Sequence, residues 1–229
     1  NYVQLRERFD SNIPAINRKK EFDRIDLNYR VERLFKLKDW LTLTPLAGAH
    51  ISNYSNQKIN SVAVKKRYGR EIFELGFDLE ARAYASYPTI NETWGIDGLR
   101  HIVRPVIRYR YLSDPDNGNE VAAIDRQFFD LNRPLLDLSD LRNIDEISDT
   151  HLVRLGVETL FQTRAKDYGS RNLAALNLYQ DILFKKNLSY DRSEQDTFNA
   201  TWVELVMNPA PWLKFDLASR FHTCLLYTS

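Results

Sequence analysis

The feature that most constrains this chain is a strict two-residue alternation. Phe73, Leu75, Phe77, Leu79, Ala81, Ala83 and Ala85 are interleaved with Glu74, Gly76, Asp78, Glu80, Arg82, Tyr84 and Ser86. Side chains that recur every second residue share one face of a β-strand, whereas a helix would scatter them around its axis. The segment from Glu71 to Tyr87 therefore reads as one strand, far longer than the roughly 5–6 residues usual in globular sheets. The stretch "LRHIVRPVIRYRYLSDPDNG", from Leu99 to Gly118, repeats the pattern with three cations on one side. Arg104, Arg108 and Arg110 alternate with Val103, Pro105, Ile107, Tyr109 and Tyr111.

The same period recurs along the chain. Ile25, Leu27, Tyr29 and Val31 oppose Arg24, Asp26, Asn28, Arg30 and Glu32. Leu41 to Ile51 alternates with Thr42 to Ser52, with Leu46 out of pattern. Val153, Leu155, Val157, Thr159 and Phe161 oppose Arg154, Gly156, Glu158 and Gln162. Ala174, Leu176, Leu178, Ile182 and Phe184 oppose Asn177, Tyr179 and Asp181, and Leu213, Phe215, Leu217 and Phe221 oppose Lys214, Asp216 and Arg220. Phe198 to Met207 reads as a strand of undetermined phase, and Tyr2 to Phe9 as the remnant of an earlier one. The expectation is an all-β chain of about eight long strands with no helix, arranged as an antiparallel up-and-down meander. Its sheet curves one way without closing on itself, as part of a transmembrane barrel.

The connections alternate in length. Lys36–Asp39, Ala165–Ser170 and Asn208–Pro211 read as short links. Asn53–Gly69, Ser113–Asp149 and Lys185–Asp196 read as long ones, and Pro88–Gly98 as intermediate. Outer-membrane barrels segregate short periplasmic turns from longer external loops in this way. The loop from Ser113 to Asp149 is expected to fold over or into the barrel mouth, using Phe128, Phe129, Leu131, Leu135, Leu136 and Leu138. Trp40, Trp94 and Trp212 stand by shorter connections, where an interfacial aromatic girdle would place them.

Runs of this length cover the roughly 9–11 residues that cross a bilayer at a tilt. On that reading Phe73, Leu75, Phe77, Leu79, Val103, Ile107, Tyr109, Tyr111, Val153, Leu155 and Val157 face lipid. Glu74, Asp78, Glu80, Arg82, Arg104, Arg108, Arg110, Arg154 and Glu158 face a watery lumen. A hairpin centred near Thr93 sets Arg82 opposite Arg104 and Asp78 opposite Arg108, a ladder of mostly opposite charges. Pro105 cannot donate a ladder hydrogen bond and marks a local weakness, bulge or bend.

Composition narrows the alternatives. The 229 residues carry 32 Lys+Arg against 31 Asp+Glu, so nucleic-acid binding through bulk charge has little support. Mean hydropathy is −0.47, which argues against helical spans but not against barrel strands, whose alternation averages to a polar value. His50, His101, His151 and His222 lack metal-ligand spacing, and no nucleotide-binding or hydrolase motif occurs. Asp114, Asp116, Asn117 and Glu120 resemble a calcium loop, but Gly118 stands where a ligand is needed, so a solvated turn is expected. No catalytic, cofactor-binding or metal residue is assigned, and no enzyme activity is expected. The last six residues, "CLLYTS" from Cys224 to Ser229, resemble a sequencing-adapter reading. Residues 1–223 are therefore expected to be a barrel segment and 224–229 a non-native tail.

Three stretches taken together, "LRHIVRPVIRYRYLSD" before a long loop, "IDEISDTHLVRLGVETLF" and "LNLYQDILF", resemble the LptD (OstA) family of lipopolysaccharide-assembly proteins. The positions that carry the likeness are His101, Pro105 and Tyr109, then Asp145, Ile147 and Asp149, then Gln180 and Phe184; it is strongest over residues 70–185. The resemblance implies a large outer-membrane barrel in a Gram-negative bacterium. A lipoprotein, LptE, plugs that barrel, and periplasmic bridge proteins supply it with lipopolysaccharide. In the family, lipid passes from a jellyroll domain into the barrel and leaves through a seam between the first and last strands. Without that jellyroll or the family's disulfide cysteines, the chain is expected to be an interior segment. The rival readings are another outer-membrane barrel, of the porin or TonB-dependent receptor type, and a soluble β-sandwich binding module.

Overall fold

A computed structural model describes residues 2–9, 18–59, 62–114, 136, 138, 149–165, 169–184, 198–210 and 212–222. Among them every regular element is a strand. These are β1 (Tyr2–Phe9), β2 (Arg18–Glu32), β3 (Phe35–Lys38), β4 (Leu41–Ile59), β5 (Val62–Ala81), β6 (Ala83–Asn91), β7 (Ile96–Leu112), β8 (Thr150–Arg164), β9 (Ser170–Leu183), β10 (Phe198–Ala210) and β11 (Leu213–His222).

All eleven belong to one antiparallel sheet in the order β1-β2-β4-β5-β7-β8-β9-β10-β11, with β3 beside β4 and β6 beside β7. Each strand neighbours the next along the chain, as the meander requires, and the sheet is not closed. β3 continues the line of β2, since Glu32 pairs with Leu46, Lys36 pairs with Thr42, and the Arg33 amide donates to the Pro45 carbonyl at 3.2 Å. β6 likewise continues β5, so the eleven elements form nine long rungs.

The interruption between β5 and β6 has a local cause. Glu80 pairs with Val106 and Ala83 with Val103, so the gap at Ala81 and Arg82 lies against Pro105 and Arg104. Pro105 has no N–H to offer, and the ladder breaks beside it. On its other edge the chain stays in line, with the Arg82 amide donating to the Trp40 carbonyl at 2.7 Å, one step beyond the Leu41↔Ala81 pair. The expected register is present, with Asp78 directly across from Arg108.

Several connections differ from expectation. Lys36, Leu37 and Lys38 belong to β3, which leaves the turn at Asp39 and Trp40, and Asn208, Pro209 and Ala210 belong to β10. Asn53–Gly69 is not a long loop: β4 and β5 remain paired from Asn53↔Gly69 out to Ile59↔Val62. Its sequence carries no sustained alternation to betray a strand, although Tyr54 and Tyr68 are buried; the ladder hydrogen bonds of its neighbour hold it extended. Pro88–Gly98 is mostly strand as well, reduced to the turn Glu92–Gly95, where the Gly95 amide donates to the Glu92 carbonyl at 3.1 Å. Length segregation is therefore weaker than expected, because the 60–61 link is also short. The 113–149 and 185–197 connections still share its end of the sheet.

A single sheet can bury one face only by bending toward it. The face carrying Arg24, Ser52, Arg70, Glu74, Arg110, Arg154 and Asp181 is buried, and the opposite face is not. The polar face is thus the concave one. Apolar side chains share it in small clusters, Phe22 with Tyr54 and Tyr68, and Val106 with Tyr179, Ala200 and Trp202. Leu46, out of pattern in the sequence, is buried there too. Part of the long β7–β8 connection adds to this side. Leu138 packs with Ile72 and Leu112, Leu136 packs with Leu152 and Leu183, and the Leu138 carbonyl accepts from Asn28 Nδ2 at 3.1 Å. Phe128, Phe129, Leu131 and Leu135 lie outside the described residues, as do Asp116 to Glu120 and the 224–229 tail.

Candidate functional site

Even-numbered residues of β7 and β8 and odd-numbered residues of β9 meet on the concave face, because cross-strand partners in an antiparallel ladder share a face. Register then decides which charges meet. Arg110 spans β7 to β5, with Nη1 2.6 Å from Asp78 Oδ1 and Nε 3.8 Å from Glu74 Oε1. Its guanidinium also donates to the backbone carbonyl of Phe77 at 3.1 Å. Arg108 reaches the other way, to Glu158 at 3.1 Å, with Asp78 and Glu80 each 4.0 Å distant. Glu158 is the hub, since it also accepts from Arg104 and, at 2.7 Å, from the Tyr179 hydroxyl.

One strand further, Arg154 and Asp181 form a two-pronged pair, Nε to Oδ1 at 2.6 Å and Nη2 to Oδ2 at 2.8 Å. Their side chains are 1% and 0% exposed. Between β2 and β4, Asp26 accepts from Arg24 Nε and from the Ser52 hydroxyl, both at 2.7 Å, and His50 Nε2 stands 2.8 Å from that hydroxyl. At the β10–β11 end the Arg220 guanidinium lies 5.1 Å from the centre of the Trp202 ring.

Glycine makes room for two of these long side chains. A Cβ on Gly76 would stand 2.5 Å from the Tyr109 carbonyl oxygen and 2.9 Å from Arg110 Cδ. One on Gly156 would stand 2.4 Å from the Tyr179 ring. Gly76 pairs with Arg110 and Gly156 with Tyr179, so each glycine is the seat over which its cross-strand partner lies flat.

All nine residues predicted for the wet face, Glu74, Asp78, Glu80, Arg82, Arg104, Arg108, Arg110, Arg154 and Glu158, lie on this concave face. The eleven predicted apolar residues, from Phe73 to Val157, lie on the other. Phe73 and Leu75 are each 56% exposed, and Ile107, Tyr111, Leu155 and Val157 are exposed as well. The outward set also includes Ile25, Leu27, Tyr29, Val31, Leu178, Phe215, Leu217 and Phe221. Tyr109 is partly covered there by Phe77, with ring centres 5.6 Å apart, and by His151, whose Nε2 is 3.1 Å from the Tyr109 hydroxyl. His101 is on the same outer face, stacked on Phe161 at 4.2 Å.

Trp40, Trp94 and Trp212 are exposed, and all three sit at the turn end of the sheet opposite the 113–149 connection. Arg171 ties two of these turns together, donating to the Trp94 carbonyl at 2.8 Å and the Asn208 carbonyl at 2.9 Å. The sequence reading named no role for Asp181, Tyr179, Arg24, Asp26, His50 or Trp202. Strand parity signalled the face of the first five, but nothing within a single strand signalled their partners. Among the described residues, no group of three or more His, Cys, Asp or Glu side chains could hold a metal ion.

No protein-family model matches the chain, and comparison with curated proteins likewise returns no match.

Proposed function

We propose that this chain is part of the wall of an outer-membrane β-barrel, and that the barrel belongs to the translocon that assembles lipopolysaccharide into the outer leaflet. One observation carries the membrane half of this reading: polarity is inverted. Ion pairs occupy the enclosed face, while a continuous field of Leu, Ile, Val, Phe and Tyr occupies the exposed one. Soluble monomers rarely expose apolar patches beyond about 300–600 Å². An apolar outer band flanked by aromatic residues is the arrangement a bilayer stabilises. With no lipid-exposed loop or open edge tolerated in hydrocarbon, the unpaired edges of β1 and β11 need further strands of the same barrel.

The lipopolysaccharide half rests on the order and spacing of the motifs around His101, Pro105, Tyr109, Asp149, Gln180 and Phe184. Lipopolysaccharide, an LptE-type plug and periplasmic bridge proteins are the partners this reading names. A spin label at position 79 tests the membrane half. It should respond to a lipid-soluble quencher, while a label at 80 responds to a water-soluble one; protection of 79 from both would mean a protein core. Depletion of the full-length protein tests the other half. Newly made lipopolysaccharide should fail to reach the cell surface, whereas normal export with loss of solute conductance would make the barrel a porin or receptor.

A further inference from the structure

The ladder of opposite charges has two exceptions: Arg108 faces Arg154 across β7–β8, where Asp181 holds Arg154, and Arg82 faces Arg104. The register that joins Glu80 to Val106 and Ala83 to Val103 sets Arg82 directly across from Arg104, cation against cation. Both line one cleft of about 410 Å³ on the concave face, together with Glu158, Asn177, Tyr179 and Ile102. Like charges facing one another across strands are destabilising, and no local carboxylate relieves this pair fully. Glu158 takes Arg104, but it is shared with Arg108 and the Tyr179 hydroxyl. Glu80 lies 4.0 Å from Arg108, and Asp78 is held by Arg110 at 2.6 Å. Arg82 is exposed and has no ion-pair partner among the described residues. The pair stands beside Pro105, where the ladder to β7 breaks, while the Arg82 amide is held from the β4 side by the Trp40 carbonyl at 2.7 Å.

We propose that the Arg82–Arg104 pair is a binding subsite for a phosphomonoester, specifically a phosphate on the saccharide headgroup of the lipid that the barrel carries. A carboxylate would neutralise one of the two cations. A phosphate carries about −1.5 to −2 at neutral pH, so it answers both. The planar guanidinium fork suits phosphate oxygens in pairs. Beside the cations the cleft is also lined by Asn177, whose amide is a hydrogen-bonding group of the kind a sugar ring needs. The Asn177 amide donates to Glu204 at 3.3 Å, which leaves its carbonyl oxygen and its second amide hydrogen for a sugar hydroxyl. This inference rests on the lipopolysaccharide reading for the identity of the lipid.

The test places a photoreactive residue at Ile102, inside the cleft, in the full-length protein in detergent. Lipopolysaccharide and its phosphatase-treated form are the probes. Untreated lipopolysaccharide should crosslink at least tenfold more than the treated form, and Arg82→Gln with Arg104→Gln should abolish that difference. Arg82→Lys should restore part of it. Equal crosslinking of the two forms, or none by either, would overturn the subsite. Millimolar inorganic phosphate should compete only weakly against the intact lipid; complete displacement would make this a site for free phosphate and not for a headgroup. The quencher and export experiments are read independently, so a barrel that exports lipopolysaccharide without phosphate-dependent crosslinking keeps the function and loses the subsite.

Discussion

Replacing Asp181 by leucine is expected to be among the most damaging single changes on the concave face. Asp181 holds Arg154 through two short hydrogen bonds, and both side chains are withdrawn from solvent. Arg154 stands directly across β7–β8 from Arg108, so without Asp181 two cations meet and one of them is buried. Breaking one side of a buried pair costs about 3–5 kcal/mol. Arg154→Met should cost about as much, because it removes two hydrogen bonds and the counter-charge from a buried carboxylate. The double variant Arg154→Met with Asp181→Leu removes both charges and fills similar volume, so it should return to within about 1–2 kcal/mol of the parent, since apolar replacement of a buried pair is often close to neutral. The assay is denaturant unfolding of the full-length protein in micelles, followed by tryptophan fluorescence and by the gel mobility of folded barrel. The reasoning is refuted if each single change costs under about 1 kcal/mol and the two costs add, as for a hydrated surface pair.

The same unfolding assay should separate the two faces of β5. On the proposed membrane reading Leu79→Arg should cost about 2–4 kcal/mol, as a cation on a lipid face near mid-membrane would, and Glu80→Gln under about 1 kcal/mol. Gly156→Ala forces a methyl to 2.4 Å from Tyr179 Cδ1 and 2.8 Å from Val106 Cγ2, so it should cost about 1–3 kcal/mol as overpacking does. Shrinking the ring with Tyr179→Ala should recover part of that cost, and strict additivity would mean the ring does not sit on the glycine. In sealed cells, protease added outside should cut between residues 113 and 149 and spare Lys36–Asp39. Cleavage of the short turn alone would reverse the orientation.

Alternation is a property of each strand taken alone, which is why so much of this protein is legible in its sequence. The backbone sends successive side chains to opposite faces, so Phe73 and Glu74, or Leu155 and Arg154, are sorted before any partner is known. A tight turn carries the same logic one step further. The short link around Thr93 dictates its own register, and Asp78 falls opposite Arg108 as a matter of counting. Where alternation lapses, as in Asn53–Gly69, the strand could be recognised only from its neighbour. Tertiary structure also decided which charges join. Asp78 faces Arg108 by register, yet the closer contact is Arg110, because side chains lean along the strand and Gly76 leaves space for Arg110 to lie flat. Glu158 gathered Arg104 and Arg108 across the 113–149 connection, whose length says nothing about register. Arg154 with Asp181 and Glu158 with Tyr179 meet across the short 165–170 link, where a bulge at Phe161 and Gln162 shifts the count by one. Which face is enclosed was undecided in every strand separately. It is set by the direction in which the whole sheet bends, and that is a property of the strands together.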